Sequence, residues 1–380
     1  MKSTLILVDG ISGSGKDTQV PVIEAFMRDH GYTVRTVKEP SDFLRDVSLA
    51  YKNRPVRDGL VETLLYTADR RQHFLEVVAP LLAAEGNCVI SNRSFISTAA
   101  YQSLQGVPLD EILRLNVFYP QPDLALVFLC DPAEAVRRIQ GREAGGGMKQ
   151  SRDENLERIA AIRANYASLE SRIPNLRIVH SDGHPHAVPY QLRSHLNKLV
   201  GTPMEKAVFL DKDGTLVDNS RYPDVIPTDE IYVDKTVRGL RALRDAGYRL
   251  FIISSQPWVA RGRMTAGEVE DVFKNVVKKY LAHGVRIDGY GFCPHARSEG
   301  CRCKKPDTLL LERIADQYTI DTSASYFVGD MADDIRTGRN FGLQPVMVAT
   351  GNAPLEERTV DISKLEFSDV NAFAEYVLKR

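Results

Sequence analysis

The chain has 380 residues, 43% of them hydrophobic and 26% charged, with a formal net charge of -1. That length allows two or three domains, each able to bury its own core. Charge is close to balanced on both sides of residue 202, which weighs against a dedicated nucleic-acid binder, and no stretch approaches the roughly 18–20 apolar residues of a membrane-spanning helix.

The two halves open alike. Leu5 to Gly10 (LILVDG) and Ala207 to Gly214 (AVFLDKDG) are short apolar runs ending in a turn rich in Gly and Asp, followed by helical patterning. This is the pattern of a buried parallel strand whose carboxyl end carries a functional loop. Further strands are predicted at Tyr32 to Val37, Cys88 to Ser91, Leu124 to Leu129 and Leu176 to Val179, then at Arg249 to Ile253, Ser325 to Val328 and Pro345 to Val348. Helix-length segments separate them, so the expected fold class is α/β: two three-layer α/β/α domains with parallel sheets. Leu199 to Lys206, with Gly201 and Pro203, is the expected boundary, giving domains 1–202 and 203–380.

Gly10 to Lys16 reads GISGSGK, the phosphate-binding pattern G-x-x-x-x-G-K. Gly10, Gly13, Ser14 and Gly15 let successive backbone N–H groups face phosphates, Lys16 adds a point charge, and the following helix presents its positive end. The next residue is usually Ser or Thr, whose hydroxyl reaches Mg2+; here it is Asp17, with Thr18 after it.

Over nearly all of residues 1–200 the chain resembles the thymidylate kinase family. GSGKDTQ, KEP at Lys38 to Pro40, LLYTADRRQH at Leu64 to His73, VISNRS at Val89 to Ser94, STAAYQ at Ser97 to Gln102 and PDLALVFL at Pro122 to Leu129 carry the likeness. The resemblance implies a P-loop kinase fold, ATP as phosphoryl donor and a deoxynucleoside monophosphate as acceptor. Tyr66 would stack on the base, Arg70 contact the nucleotide, Arg93 hold the acceptor phosphate and Tyr101 pack against the deoxyribose. Gly141 to Arg152 resembles a lid, with Arg142 and Arg152 reaching the transferring phosphoryl group. Family members commonly carry an acidic residue in place of Ser12, Asp in place of Asn92 and Ser or Thr in place of Asp17. A modified deoxynucleotide as acceptor, or a half that binds nucleotide without turning it over, therefore stays open.

Phe209 to Leu216 (FLDKDGTL) carries the D-x-D-G-T signature of haloacid dehalogenase-type phosphatases. Asp211 attacks phosphorus, while Asp213 protonates the leaving oxygen and later activates water. IISSQ supplies Ser254 for a phosphoryl oxygen, KKP supplies Lys305 to offset charge, and VGDMADD supplies Asp330, with Asp333 and Asp334 in support. Mg2+ is expected on Asp211, Asp213 and Asp330, where it neutralises repulsion between carboxylate and phosphate.

Three of the five cysteines lie in CPHARSEGCRC. Cys293, His295, Cys301 and Cys303 supply three thiolates and an imidazole across a short loop turned by Gly300, a donor set suited to a closed tetrahedral Zn2+. From about Lys206 to Gly351 the chain resembles the histidinol-phosphate and heptose bisphosphate phosphatase branch, which carries such a zinc loop near its active site. DKDGTLVDN, GLRALRDAGYRLFIISSQPWVARG and YFVGDMADDIRTGRNFG support it. It implies a haloacid dehalogenase-like Rossmannoid fold. The motif spacing leaves little room for a cap domain.

The reading is a bifunctional enzyme: a nucleoside monophosphate kinase followed by a phosphomonoesterase, with nucleotides and small phosphomonoesters as partners. A polynucleotide kinase-phosphatase acting on strand ends is the rival, opposed by the charge balance. The thymidylate kinase resemblance implies a homodimer through the first half. MKSTLILVDGISGSGK shows no signal-peptide cleavage pattern, so a cytoplasmic location is expected.

Overall fold

Five parallel strands, β1 (Thr4–Gly10), β2 (Thr33–Lys38), β3 (Asn87–Asn92), β4 (Leu124–Leu129) and β5 (Leu176–His180), form a sheet of order β2-β3-β1-β4-β5. In this computed structural model, which describes residues 1–144, 155–182, 185–222, 224–351 and 365–379, every residue of β1 and β4 is buried. Both faces of these central strands are covered, which is why they read as unbroken apolar runs instead of alternating ones. Leu5 and Leu7 join Val89, Ala125 and Val127 in one core, while Ile6 and Val8, pointing the other way, are equally buried.

Six more strands, β6 (Ala207–Leu210), β7 (Arg249–Ser255), β8 (Gly289–Cys293), β9 (Tyr326–Gly329), β10 (Gln344–Val348) and β11 (Glu366–Phe367), form a second parallel sheet of order β11-β10-β9-β6-β7-β8. One face packs Val208, Leu210, Leu250 and Ile252; the other packs Phe209, Phe251, Ile253 and Phe327. β8 and β11 lie outside the strands expected from the sequence. In both sheets the first strand lies between neighbours from which the order runs in opposite directions, β3 and β4 beside β1, β9 and β7 beside β6. The loops after β1 and β6 therefore sit at the switch points where α/β sheets bind ligands.

Packing divides the chain between Asp182 and Gly183, upstream of the expected boundary at 202/203. The helix Val188–Val200 accounts for the difference, because its contacts lie within the second unit. Lys198 pairs with Asp321 at 2.9 Å, Ser194 Oγ donates to Asp321 at 3.2 Å, Gln191 donates to the Asn340 carbonyl at 3.2 Å, and the Tyr190 ring lies 5.4 Å from that of Phe341. Burial works against a charged Asp321, but Lys198, Ser323 and Ser194 hold its carboxyl below the usual range.

Candidate active sites

In the first unit β1 runs into the Gly-rich loop. Gly13 has φ +81°, and a Cβ there would stand 2.6 Å from the Ala135 carbonyl oxygen, so only glycine fits the turn. Gly15 caps the helix Lys16–Asp29 with no side chain, which leaves the helix end to a ligand anion. Ser14 is 2% exposed and its hydroxyl has no partner among the described residues.

Lys16 is buried, and its ammonium lies 2.9 and 3.0 Å from the two oxygens of Asp17. Asn92 Nδ2, at the end of β3, donates to Asp17 Oδ1 at 3.0 Å. Burial, then the nearby charge of Arg93, lowers Lys16 below its ordinary value although Asp17 opposes both. Arg93 adopts φ +74°, and its backbone N–H is tied to the Val8 carbonyl at 2.9 Å. Two cations thus converge where β1 and β3 end, an arrangement that calls for phosphate oxygens.

Arg70 is buried with its guanidinium shared among Glu39 (2.7 Å), Asn116 (2.6 Å) and Thr98 (3.0 Å). Burial pushes Glu39 up to about 7, and its Oε1 is unpartnered among the described residues. Tyr66 is half-buried, with its hydroxyl 3.3 Å from Glu62 and 3.5 Å from Ser48. Tyr101 meets Tyr166 edge to face at 6.3 Å.

In the second unit Asp211 follows β6 directly. Lys305 Nζ lies 2.5 Å from Asp211 Oδ1 and 2.5 Å from Asp334 Oδ1. Burial pushes Asp211 up to about 7, with Lys305 opposing and the Asp334 and Asp213 charges adding to the rise. Burial alone would lower Lys305, but the two carboxylates outweigh it and raise it. Asp330, at the end of β9, is wholly buried, and neither of its oxygens has a hydrogen-bond partner among the described residues. Burial, with the Asp211 and Asp334 charges, holds it well above the carboxylate range.

Gln256 donates to Asp213 Oδ2 at 2.7 Å and to Ser254 Oγ at 3.0 Å, and the buried Lys212 donates to the other Asp213 oxygen. At the end of β8, Cys293 Sγ lies 3.6 Å from His295 Nδ1 and 3.5 Å from Cys301 Sγ. Cys303 Sγ lies 3.6 Å from Cys301 Sγ and 3.2 Å from His295 Nδ1.

The thymidylate kinase family model matches residues 8–184, and a HAD-hydrolase-like model matches residues 302–366. A probable thymidylate kinase from Pyrococcus horikoshii is 35% identical over 191 residues, 48% of this chain and 89% of that protein. A probable D-glycero-D-manno-heptose-1,7-bisphosphate 7-phosphatase from Thermoplasma acidophilum is 34% identical over 139 residues, 36% of this chain and 86% of that protein. The chain belongs to the thymidylate kinase family in its first unit and to the heptose bisphosphate phosphatase family in its second. A crystal structure of D,D-heptose 1,7-bisphosphate phosphatase from B. bronchiseptica, complexed with magnesium and phosphate, aligns over 46% of this chain and 98% of its own, with 23% identity and a TM-score of 0.42.

The protein is a kinase joined to a phosphatase, and its families imply ATP for the kinase unit and Mg2+ for both. The phosphatase residues fit a hard cation: oxygens of Asp211, Asp330 and Asp334 lie within 4.8 Å of one another. Asp213 lies outside this group of side-chain oxygens, its carboxylate held by Lys212 and Gln256, while Asp334 accepts from Lys305 and from the Met331 N–H. Asp333 lies outside the group, paired with Arg297 and Arg336. In the kinase unit Arg142 is exposed in the last turn of the helix Pro132–Ala144, and Arg152 lies outside the described residues. Cys88 and Cys130 are buried thiols, pushed up by burial to about 12 and about 11, as expected of core residues. Sequence reasoning passed over Glu39, Asn116, Lys212 and Gln256. Glu39, Lys212 and Gln256 lie inside the motifs KEP, FLDKDGTL and IISSQ, which is their one signal, and Asn116 lies in none.

Proposed function

We propose that the kinase unit transfers the terminal phosphoryl group of ATP to a deoxynucleoside monophosphate with a pyrimidine-sized base, dTMP first, and that the phosphatase unit hydrolyses a small phosphomonoester. One observation supports both: in each unit a buried lysine meets the loop that follows the central strand, Lys16 after β1 and Lys305 against Asp211 after β6. ATP supplies the phosphoryl group. Lys16 follows its charge into the transition state, Arg93 holds the acceptor phosphate, and Tyr66, Arg70 and Tyr101 read base and sugar. Arg142 and Arg152 are proposed to close over the transferring group.

In the phosphatase unit an Asp211 oxygen bonds to phosphorus while the bond to the leaving oxygen breaks. Asp213, held by Gln256 and Lys212, gives that oxygen its proton. Asp213 then takes a proton from water as the water oxygen attacks the aspartyl phosphate, releasing inorganic phosphate and restoring Asp211. Ser254 donates to a phosphoryl oxygen, and Lys305 balances the nucleophile's charge. Asp211, Asp213 and Asp330, with Asp334 beside them, would hold Mg2+, which would neutralise repulsion between carboxylate and phosphate.

Cys293, His295, Cys301 and Cys303 are proposed to close around zinc. Donors at about 2.1–2.3 Å from one tetrahedral ion stand about 3.5–3.8 Å apart, and four separations here run from 3.2 to 3.6 Å. A cytoplasmic homodimer through the kinase unit completes the reading. It is supported by the exposed apolar side chains of Leu60 (38%), Val61 (42%) and Leu64 (46%) on the helix Gly59–His73.

The test is both activities on full-length wild type, Asp211→Asn and Lys16→Ala, over a panel of nucleoside monophosphates and sugar phosphates, starting with the sugar bisphosphate named for the Thermoplasma relative. Asp211→Asn should lower phosphatase turnover about 10³-fold, some 4 kcal/mol of barrier, and leave the kinase near wild type; Lys16→Ala should do the reverse. Equal turnover of AMP and dTMP sinks the acceptor assignment. Loss of both activities in a folded Asp211→Asn variant sinks the two-site reading.

A further inference from the structure

We propose that Asp17 supplies the carboxylate that holds the nucleotide's divalent cation in the kinase unit, and that Asn92 aims it, so that the metal-facing acid sits on the P-loop helix instead of at the end of β3. The proposal rests on the kinase reading above.

Position 17 is the place from which a P-loop Ser or Thr ordinarily offers a hydroxyl to Mg2+. The next hydroxyl does not replace it, because Thr18 Oγ1 turns back and donates to the Gly15 carbonyl at 2.6 Å. The other carboxylate at the end of β1 does not either. Asp9 is fully buried, and its two oxygens accept from Ser94 and Ser97. Asp17, with its side chain 60% exposed, has room for a ligand.

The partner across the gap gives the second observation. Asn92 Nδ2 fixes Asp17 Oδ1, while Asn92 Oδ1 is shut off from solvent with no hydrogen-bond partner among the described residues. Asp17 thus offers charged carboxylate oxygens, hard donors of the kind Mg2+ and Mn2+ favour, and the amide whose nitrogen fixes it carries an oxygen that is still unsatisfied among the described residues. Ser14, in the same loop, adds a buried hydroxyl that also lacks a partner among those residues. The charges complete the argument. Lys16 and Arg93 supply positive charge for phosphates, and when Lys16 leaves Asp17 for them the carboxylate exchanges an ammonium for a metal ion. It never faces the phosphates uncompensated.

The amide and the carboxylate together form a pair that can be exchanged. Asp17→Asn with Asn92→Asp keeps both groups and swaps their sides, and this makes the proposal testable. In the full chain, Mn2+ uptake is read by electron paramagnetic resonance with and without ADP, so that uptake by the phosphatase unit cancels, and ADP affinity is measured separately in chelator.

Asp17→Asn should weaken ADP-dependent Mn2+ binding by about 10- to 100-fold and leave metal-free ADP affinity equal or tighter, since Lys16 is released. The exchanged double variant should recover most of the loss. Unchanged Mn2+ affinity in Asp17→Asn, with ADP still bound, overturns the proposal and leaves Asp17 as no more than a resting place for Lys16. A double variant no better than the single one overturns the role of Asn92. Wild-type protein that binds no ADP overturns the kinase reading itself.

Discussion

Lys305 and Asp211 form an ion pair 2.5 Å long, with side chains only 8% and 6% exposed. The same ammonium serves Asp334, so one cation stands against two carboxylates while Asp330 remains beside them without a hydrogen-bond partner among the described residues. Removing one member of a buried pair leaves the others uncompensated and costs about 3–5 kcal/mol. Lys305→Met should therefore lower the phosphatase unit's melting temperature and abolish phosphate release, with Mg2+ restoring part of the stability and none of the activity. Calorimetry and a phosphate-release assay read the two effects. A variant that melts like wild type would show that the pair is not part of the unit's stability.

The sulfur and nitrogen atoms of Cys293, His295, Cys301 and Cys303 lie within 4.8 Å of one another. One zinc per chain is expected in protein purified without chelator. Replacing Cys301 and Cys303 together by Ser should release it, lower phosphatase activity and spare the kinase, because the loop lies within the second unit. Elemental analysis decides this, and zinc retained by the double variant would refute the ligand set.

The central strands were legible because burial on both faces demands continuous apolar residues, as in β1 and β4. β8 was not, since Gly289 and Gly291 interrupt GYGFC and the strand lies at a sheet edge; β11 has two residues and no pattern to read. At the sites, Lys16, Asp211, Asp330 and the group of Cys293, His295, Cys301 and Cys303 stand out in the sequence because the chemistry expected of them fixes a local spacing. Gln256 and Lys212 do not, because their value lies in one carboxylate, Asp213, that meets Gln256 only when β6 and β7 align. The pairing of Asp17 with Asn92 bridges β3 and the P-loop helix in the same way. The helix Val188–Val200 buries Val188, Leu192 and Leu196, but nothing local in the sequence says which unit that face belongs to.

That helix gives a prediction of its own. A fragment beginning at residue 203 loses the Lys198 and Ser194 contacts with Asp321, the Gln191 hydrogen bond and the tilted ring contact of Tyr190 with Phe341, all of which a fragment beginning at 183 keeps. Together these contribute roughly 3 kcal/mol, which for a domain of this size is about 6–12 °C of melting temperature. Parallel melts of the two fragments measure it. Equal melting temperatures would return the boundary to 202/203.

The phosphatase carboxylates also set the pH dependence of stability. Asp211 is pushed up to about 7 by burial, and Asp330 well above its usual range by burial together with the charges of Asp211 and Asp334. In the unfolded chain both titrate near 3.9, so between about pH 4 and 7 the folded protein holds more protons than the unfolded one. Stability without metal must then fall as pH rises through that window. Carboxyls held below their usual range, such as Asp321, act in the opposite direction, but their contribution is already complete above about pH 5. Mg2+ needs the ionised carboxylates, so its binding displaces those protons and its stabilising effect must grow with pH. Melting temperatures in chelator and in excess Mg2+, taken from about pH 5 to pH 8, should therefore diverge, the chelated curve falling and the Mg2+ curve staying level or rising. A constant gap between the curves, or a chelated protein that gains stability toward pH 8, would mean that these carboxylates are already ionised in the metal-free fold.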